Sequence, residues 1–292
     1  MKSFAQSELI INSDNSSFHL HITPEQLADK IVMCGDPDRV SLIASHFESK
    51  ECDVQSREFH TITGTYKRKR ITAISHGIGC DNIDIVVNEL DALKNIDFST
   101  RTEKKHLTSL EMVRIGTCGG LQENTTVGTF ICSEKSIGIE GLINYYAGRE
   151  KICDLEFEKH FTQHLNWDYH NLPSPYVVDN DKDLLSRIYE PDLGMIKGVT
   201  ISCGGFYGPQ GRELRIPLSD PKRNDKICSF NWNGYKITNF EMESAALAGL
   251  SALLGHKAMT VCMVVANRIA KDTDTEYKDR IDDLIEIVLD RI

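Results

Sequence analysis

Two carboxylates, Glu241 and Glu243, flank Met242 at the head of the Ala-rich run FEMESAALAGLSALLG, Phe240 to Gly255. Upstream, the segment FYGPQGR sets Gln210 and Arg212 behind Phe206 and Tyr207. A Gln amide pairs with a ring that presents a donor beside an acceptor, as uracil N3–H and O2 do. An Arg donates to a carbonyl such as O4, and Phe206 can stack on a planar base. A carboxylate such as Glu243 accepts from vicinal ribose hydroxyls. A base reader beside a sugar reader suits a nucleoside. Each segment also has a plainer role, since Gly-Pro and Gln-Gly form turns and acidic residues favour a helix N-terminus. Positions two apart on a helix diverge by about 200°. Glu241 and Glu243 can therefore face one small ligand only where the helix entrance is irregular.

Four further segments could do chemistry. In CGDPDR, Cys34 to Arg39, an apolar strand ends at Gly35. Asp36 is a good N-cap and Pro37 a good first helical residue. Such a turn presents free N–H groups and a helix dipole to an anion, with Arg39 one turn in; without a ligand it is a plain strand-to-helix turn. In RIGTCGGL, Arg114 to Leu121, a strand runs into a Gly-rich loop carrying Thr117. Arg114 sits among apolar residues, so either an internal carboxylate or a bound anion must satisfy it. In SREFHT, Arg57 and Glu58 precede an alternating strand and read by themselves as solvated surface. In FHLHIT, His19 and His21 share one side of an extended segment and Phe18 and Leu20 the other. Their default role is that of edge-strand histidines. The GxGxxG spacing and the Walker Gly-Lys-Ser/Thr are both missing, which disfavours a dinucleotide or P-loop site.

The elements that must carry these residues alternate. Buried strands are expected at Lys30–Cys34, Arg70–Ser75, Glu111–Ile115, Thr129–Cys132, Ile196–Ser202 and Ala258–Ala266. Helices are expected at Pro37–His46, Asn82–Lys94, Asp181–Tyr189, Glu241–Leu254 and Glu276–Ile292. Alternation of this kind implies an α/β fold with a parallel or mixed sheet. Lys94–Ser109 reads as a loop insertion, and residues 140–175 carry no clear period. No linker or repeat divides the 292 residues, so one domain, 1–292, is expected.

Hydrophobic residues make up 40% and charged residues 26%, ordinary globular values. The net charge of −10 argues against nucleic acid or an anionic membrane as partner. No apolar run approaches a membrane span or a signal peptide core. Nine scattered cysteines read as free thiols of a cytoplasmic protein, and no CxxC or HExxH suggests a metal.

The order GDPDR, SREFHT, SHGIG, RIGTCGG, FYxxQGR, NFEMESAAL, NR runs through residues 18–268. In that order and spacing the chain resembles the nucleoside phosphorylase family of the α/β phosphorylase–hydrolase fold, and within it the uridine branch. The resemblance implies a mixed sheet with partial barrel closure, flanked by helices. It implies reversible cleavage of uridine by phosphate to uracil and ribose 1-phosphate, with no organic cofactor and no metal. Phosphate would lie among Gly35, Arg39, Arg114 and Thr117, with Arg57 arriving from a neighbouring subunit. Arg39, Arg114 and Thr117 would be the catalytic set. Ribose would be held by Met242 and Glu243, with His19 of the neighbour near the 5′-hydroxyl. Uracil would rest on Phe206 and pair with Gln210 and Arg212. A homo-oligomer with shared sites, a dimer first, follows from the same resemblance.

The sequence departs from the family in places. The purine branch has an acid after the last strand, whereas VVANRIAKDT has Ala266 there and no acid before Asp272. After SHGIG the usual x-Pro-Ser, part of a monovalent-cation site in some bacterial members, is Cys80-Asp81-Asn82. A hydrolase using water, or a silent paralogue that binds ligand or partners an active form, are the alternatives; water does not need three arginines.

Overall fold

The computed structural model describes residues 2–267, 269, 272–273 and 278–292. In chain order the elements are β1 (Lys30–Cys34), α1 (Pro37–Ser45), β2 (Ser49–Ser56), β3 (Phe59–Tyr66), β4 (Lys69–Ser75), α2 (Cys80–Asn95), β5 (Ile96–Asp97), β6 (Thr102–Glu103), β7 (Glu111–Gly120) and β8 (Phe130–Gly138). There follow α3 (Leu155–Leu165), β9 (Tyr176–Asp179), α4 (Lys182–Ile188), β10 (Met195–Ser202), α5 (Arg223–Ser229), β11 (Asn231–Trp232), β12 (Tyr235–Glu241), α6 (Ser244–Leu254), β13 (Lys257–Asn267), β14 (Asp272–Thr273) and α7 (Lys278–Arg291).

The fold is α/β with one large mixed sheet, ordered β11-β12-β10-β8-β13-β7-β1-β4-β3-β2. β1 runs parallel to both β4 and β7, which explains why Ile31 to Cys34 form an unbroken apolar run. β12 also pairs with β7, through Asn239 to Gly120 and Phe240 to Gly119. That contact joins β7, β13, β8, β10 and β12 into a ring, the partial barrel closure that the resemblance implied. Register shifts at Gly198/Val199, Val199/Thr200 and Val264/Ala266 bend the strands enough to close it.

Helices cover both faces. α6 is apolar all round and its residues Ser244 to Ser251 are buried, so it packs as an inner helix against the ring and α2. α1, α4 and α7 pack on the other face around Val40, Leu184 and Leu284. All nine cysteines are free, and Cys34, Cys118, Cys132, Cys203 and Cys262 are buried. Among the described residues no helix is long and apolar enough to cross a membrane.

Several sequence expectations are corrected. The Gly-rich stretch after Arg114 is not a loop: Gly116 to Gly120 continue β7, because glycines let the strand bend toward β12. Strand Thr129–Cys132 extends to Gly138 as β8. Glu241 ends β12 and the helix begins only at Ser244. FHLHIT is a turn, not an extended segment, with His21 at φ 55 and Leu20 fully buried. Within 140–175 lie α3 and two short 3-10 turns. The insertion Lys94–Ser109 contains the small hairpin β5–β6. Glu276 and Tyr277, expected to open the last helix, lie outside the described residues, as does Arg268 of the NR pair.

Candidate active site

A cavity of 710 Å³ opens where the ring, α1, α2 and α6 meet. Its first wall is the turn after β1. Asp36 caps α1 by accepting from Asp38 N–H at 3.0 Å, and Pro37 occupies the first turn. Gly35 and Arg39 line the cavity. Arg39 is 9% exposed and its Nη1 donates to Ile115 O at 3.2 Å. No carboxylate among the described residues pairs with it. A buried guanidinium in the first turn of a helix, with no carboxylate partner among the described residues, presents uncompensated positive charge to the cavity.

Arg114, in the middle of β7, answers the question its sequence left open. Its partners are internal carboxylates. Nη1 lies 3.0 Å from Glu241 Oε2, and Nη2 donates to Glu243 Oε2. Nε donates to His76 Nε2 at 3.1 Å, and Nη1 approaches Cys262 Sγ at 3.6 Å. Gly116 is required beside it, since a Cβ there would stand 2.6 Å from Arg114 Nη1. Burial works against the Arg114 charge, but Glu243 and Glu241 outweigh it and hold the guanidinium above its usual range. His76 is driven well below the imidazole range by burial and by Arg114, so it is neutral at pH 7 and accepts through Nε2.

The strand-to-helix junction explains how two carboxylates two apart face one group, the Arg114 guanidinium. Glu241 is still extended, and its Oε2 accepts from the N–H groups of Glu243 at 2.8 Å and Ser244 at 2.9 Å. Ser202 and Ser244 hydroxyls donate to its Oε1 at 2.6 and 2.9 Å. Glu243 Oε1 accepts from Gly79 N–H at 2.7 Å. Gly79 sits at φ 100, which only glycine adopts readily, and it begins α2. Burial raises the Glu243 pKa against the pull of Arg114.

The far wall is the Phe206–Arg212 turn. Gln210 is 3% exposed, Phe206 is 49% exposed, and both line the cavity with Arg212. Arg212 Nη1 donates to Gln210 Oε1 at 2.5 Å and to Phe206 O at 2.7 Å. Its guanidinium stands 3.8 Å from the Phe206 ring centre. Asn224 Nδ2 donates to Gln210 O at 3.1 Å and fixes the turn. Cys118, Gly119, Val265 and Ala266 make the adjoining lining, with no acid among them; Arg268, Ala270 and Lys271 lie outside the described residues.

Thus Gly35, Arg39, Arg114, Thr117, Met242, Glu243, Phe206, Gln210 and Arg212, drawn from across the chain, line one cavity. His19 and Arg57 do not. Arg57 is exposed at the tip of the β2–β3 hairpin, at φ 57. His19 lies on the turn before β1, with Nδ1 2.5 Å from Glu89 Oε1. Sequence reasoning gave no role to Asn82 or His76, read Glu58 as solvated surface and weighed Glu241 only beside Glu243; Glu58, Asn82 and Glu241 line the cavity, and His76 accepts from Arg114. His76 and Glu241 stood inside the quoted SHGIG and EMES segments. Cys262 carried no local signal, because only the β7–β13 register, Gly116 to Cys262, brings it there.

Residues 29–291 match the model of the phosphorylase superfamily. A uridine phosphorylase of Thermococcus kodakarensis is 27% identical over 280 residues, covering 93% of this chain and 85% of that protein. A DeoD-type purine nucleoside phosphorylase of Geobacillus is 28% identical over 278 residues, covering 94% and 97%. The crystal structure of a Trypanosoma brucei nucleoside phosphorylase, described as showing uridine phosphorylase activity, superposes with a TM-score of 0.84 at 27% identity and covers 97% of this chain and 98% of that one.

Proposed function

Because the chain belongs to the phosphorylase superfamily, we propose that it cleaves uridine with inorganic phosphate, reversibly, to uracil and ribose 1-phosphate. One observation carries the reading. A buried Arg39, without a carboxylate partner among the described residues and at a helix N-terminus, shares a cavity with the amide–guanidinium pair Gln210–Arg212.

Phosphate is held by Gly35 N–H, Arg39, Arg114 and Thr117. Uracil stacks on Phe206, with Gln210 and Arg212 along its polar edge. Met242 lies under the ribose, and Glu243 takes its hydroxyls. As the glycosidic bond breaks, positive charge develops at C1′ beside the phosphate. Electron density moves onto uracil O2 and O4, where Gln210 and Arg212 donate. Uracil leaves as a stabilised anion, so no general acid is needed. The relatives include both uridine and purine phosphorylases. The amide–guanidinium pair and the apolar Val265–Ala266 lining favour the pyrimidine.

Among the described residues Glu241 and Glu243 both pair with Arg114, which leaves Arg39 as the cation of the phosphate end without a carboxylate partner. A phosphate dianion then needs a further cation, which supports Arg57 reaching in from a second copy, with His19 beside the ribose 5′-hydroxyl. A homodimer of the cytoplasm is the assembly this reading asks for. The test is uridine, and separately inosine, incubated with and without phosphate. Uracil release that requires phosphate supports the proposal. Equal release without phosphate makes the protein a hydrolase, preference for inosine makes it a purine enzyme, and no release from either makes it a silent paralogue.

A further inference from the structure

The insertion after α2 has a structural partner. The hairpin β5–β6 takes the N-terminal arm as an added edge: Phe4 N–H donates to Arg101 O at 2.9 Å and Glu103 N–H to Lys2 O at 3.0 Å. Ser3 bridges to Thr102 between them. Arg101, at φ 56, closes over the arm, donating from Nε to Phe4 O at 3.3 Å and from Nη2 to Ala5 O at 3.4 Å. Below, Ile96 and Phe98 share a core cluster with Leu20 and Ile22, and Phe4, Leu9 and Ile11 pack against that cluster.

From there the arm doubles back. Ile11 bridges to Ser17, and Asn12 Nδ2 donates to Ser17 O at 2.8 Å, which leads into the turn carrying His19. Glu89 on α2 receives that turn. Its carboxylate accepts from His19 N–H at 3.0 Å and Leu20 N–H at 3.0 Å, and it pairs with His19 Nδ1. The ring is thereby oriented through Nδ1. Its Nε2 has no partner among the described residues, on a side chain 29% exposed. The imidazole is thus fixed at one nitrogen and offers the other outward.

We propose that the hairpin Ile96–Glu103 is a docking platform for the N-terminal arm, and that by fixing the arm it positions His19 to recognise the sugar 5′-hydroxyl in the site of a second copy. This rests on the reading of His19 given under Proposed function. An undocked arm would have to be ordered at the moment of binding, which weakens whatever contact His19 makes. A docked arm has that ordering done in advance.

The experiment releases the arm at two points outside the cavity, Arg101→Ala and Phe4→Ser. Hydrogen exchange at the amides of His19 and Leu20, faster in both variants, reports undocking without turnover. Turnover is then measured with uridine and 5′-deoxyuridine. The preference for uridine in kcat/KM should shrink about tenfold, the scale of one hydrogen bond, with 5′-deoxyuridine unchanged. His19→Ala should shrink it equally, and His19→Ala with Arg101→Ala should add nothing more.

Unchanged exchange at His19, a retained preference, or an equal loss on both substrates in the arm variants overturns the proposal. If His19→Ala alone collapses the preference, the reading of His19 stands and only the platform falls. If His19→Ala leaves the preference intact, the reading of His19 fails and takes the platform with it. A wild type that cleaves neither nucleoside defeats the phosphorolysis reading, and the proposal with it.

Discussion

Glu243 bridges Gly79 N–H, at the start of α2, and the Arg114 guanidinium, in the middle of β7. The carboxylate assigned to ribose is thus held by the arginine assigned to phosphate. Each is the counter-ion of the other in this structure, and under the proposed function a phosphate that takes Arg114 would leave Glu243 available to the sugar.

Glu243→Ala is expected to act on both stability and selectivity. Gly79 N–H loses its acceptor inside the protein, at a cost of about 1–3 kcal/mol, readable in the denaturant midpoint. Turnover of uridine should fall far more than that of 2′-deoxyuridine, which never makes the contact. An equal fall for both substrates would make Glu243 a structural residue of the helix start.

Gln210→Leu should lower kcat/KM for uridine by on the order of 2–4 kcal/mol, because a desolvated pocket then meets the uracil edge with an unpaired face. The turn keeps its anchor, since Asn224 bonds the Gln210 backbone carbonyl rather than its side chain. Steady-state kinetics and a thermal melt together decide the matter; near-normal uridine turnover removes Gln210 from the base site.

Glu140 gives a pH prediction. Burial lifts its carboxyl to about 7, although the Tyr176 hydroxyl donates to Oε1 and pulls the other way. Oε2 has no hydrogen-bond partner among the described residues. The folded pKa lies above the unfolded one, so the native state binds the extra proton. The contribution to stability is complete below about 4.5 and is lost as pH rises through about 7. Glu140→Gln mimics the protonated form. Its stability relative to wild type should climb over that window by on the order of 3 kcal/mol. Urea unfolding at pH 5 and pH 8 measures this, and a difference that does not change with pH refutes it.

The proposal of a site shared between two copies is tested by complementation. Arg39→Ala and Arg57→Ala homodimers should each be nearly inactive, since every site lacks one cation. Refolded together, about half the dimers are mixed, and each mixed dimer has one intact site in two. About a quarter of wild-type activity should therefore return. If mass spectrometry confirms mixed dimers and activity stays absent, Arg57 belongs to its own chain's site or to none.

The sequence by itself determined the elements that close local rules produce. KIVMC before Gly35-Asp36-Pro37 could only be a buried strand turning into a capped helix, and β1 and the start of α1 stand where the pattern puts them. The fold class followed from alternation, and the ring closure from the resemblance. Phe206, Gln210, Arg212 and Glu243 could be named from their own segments, whereas the resemblance was needed to give Gly35, Arg39, Arg114, Thr117 and Met242 a place in the same cavity. Tertiary structure decided the rest. Whether Arg114 met a carboxylate or an anion depended on β12 ending beside β7, a contact between strands far apart in sequence. The glycines after Arg114 read locally as a loop, and became strand only because β12 and β13 supply partners. His19 and His21 read as an extended pair until the buried Leu20 and the Glu89 carboxylate bent them into a turn. Local propensity is written within a few residues. The partner of a buried charge is chosen by the packing of elements that the chain brings together only when it folds.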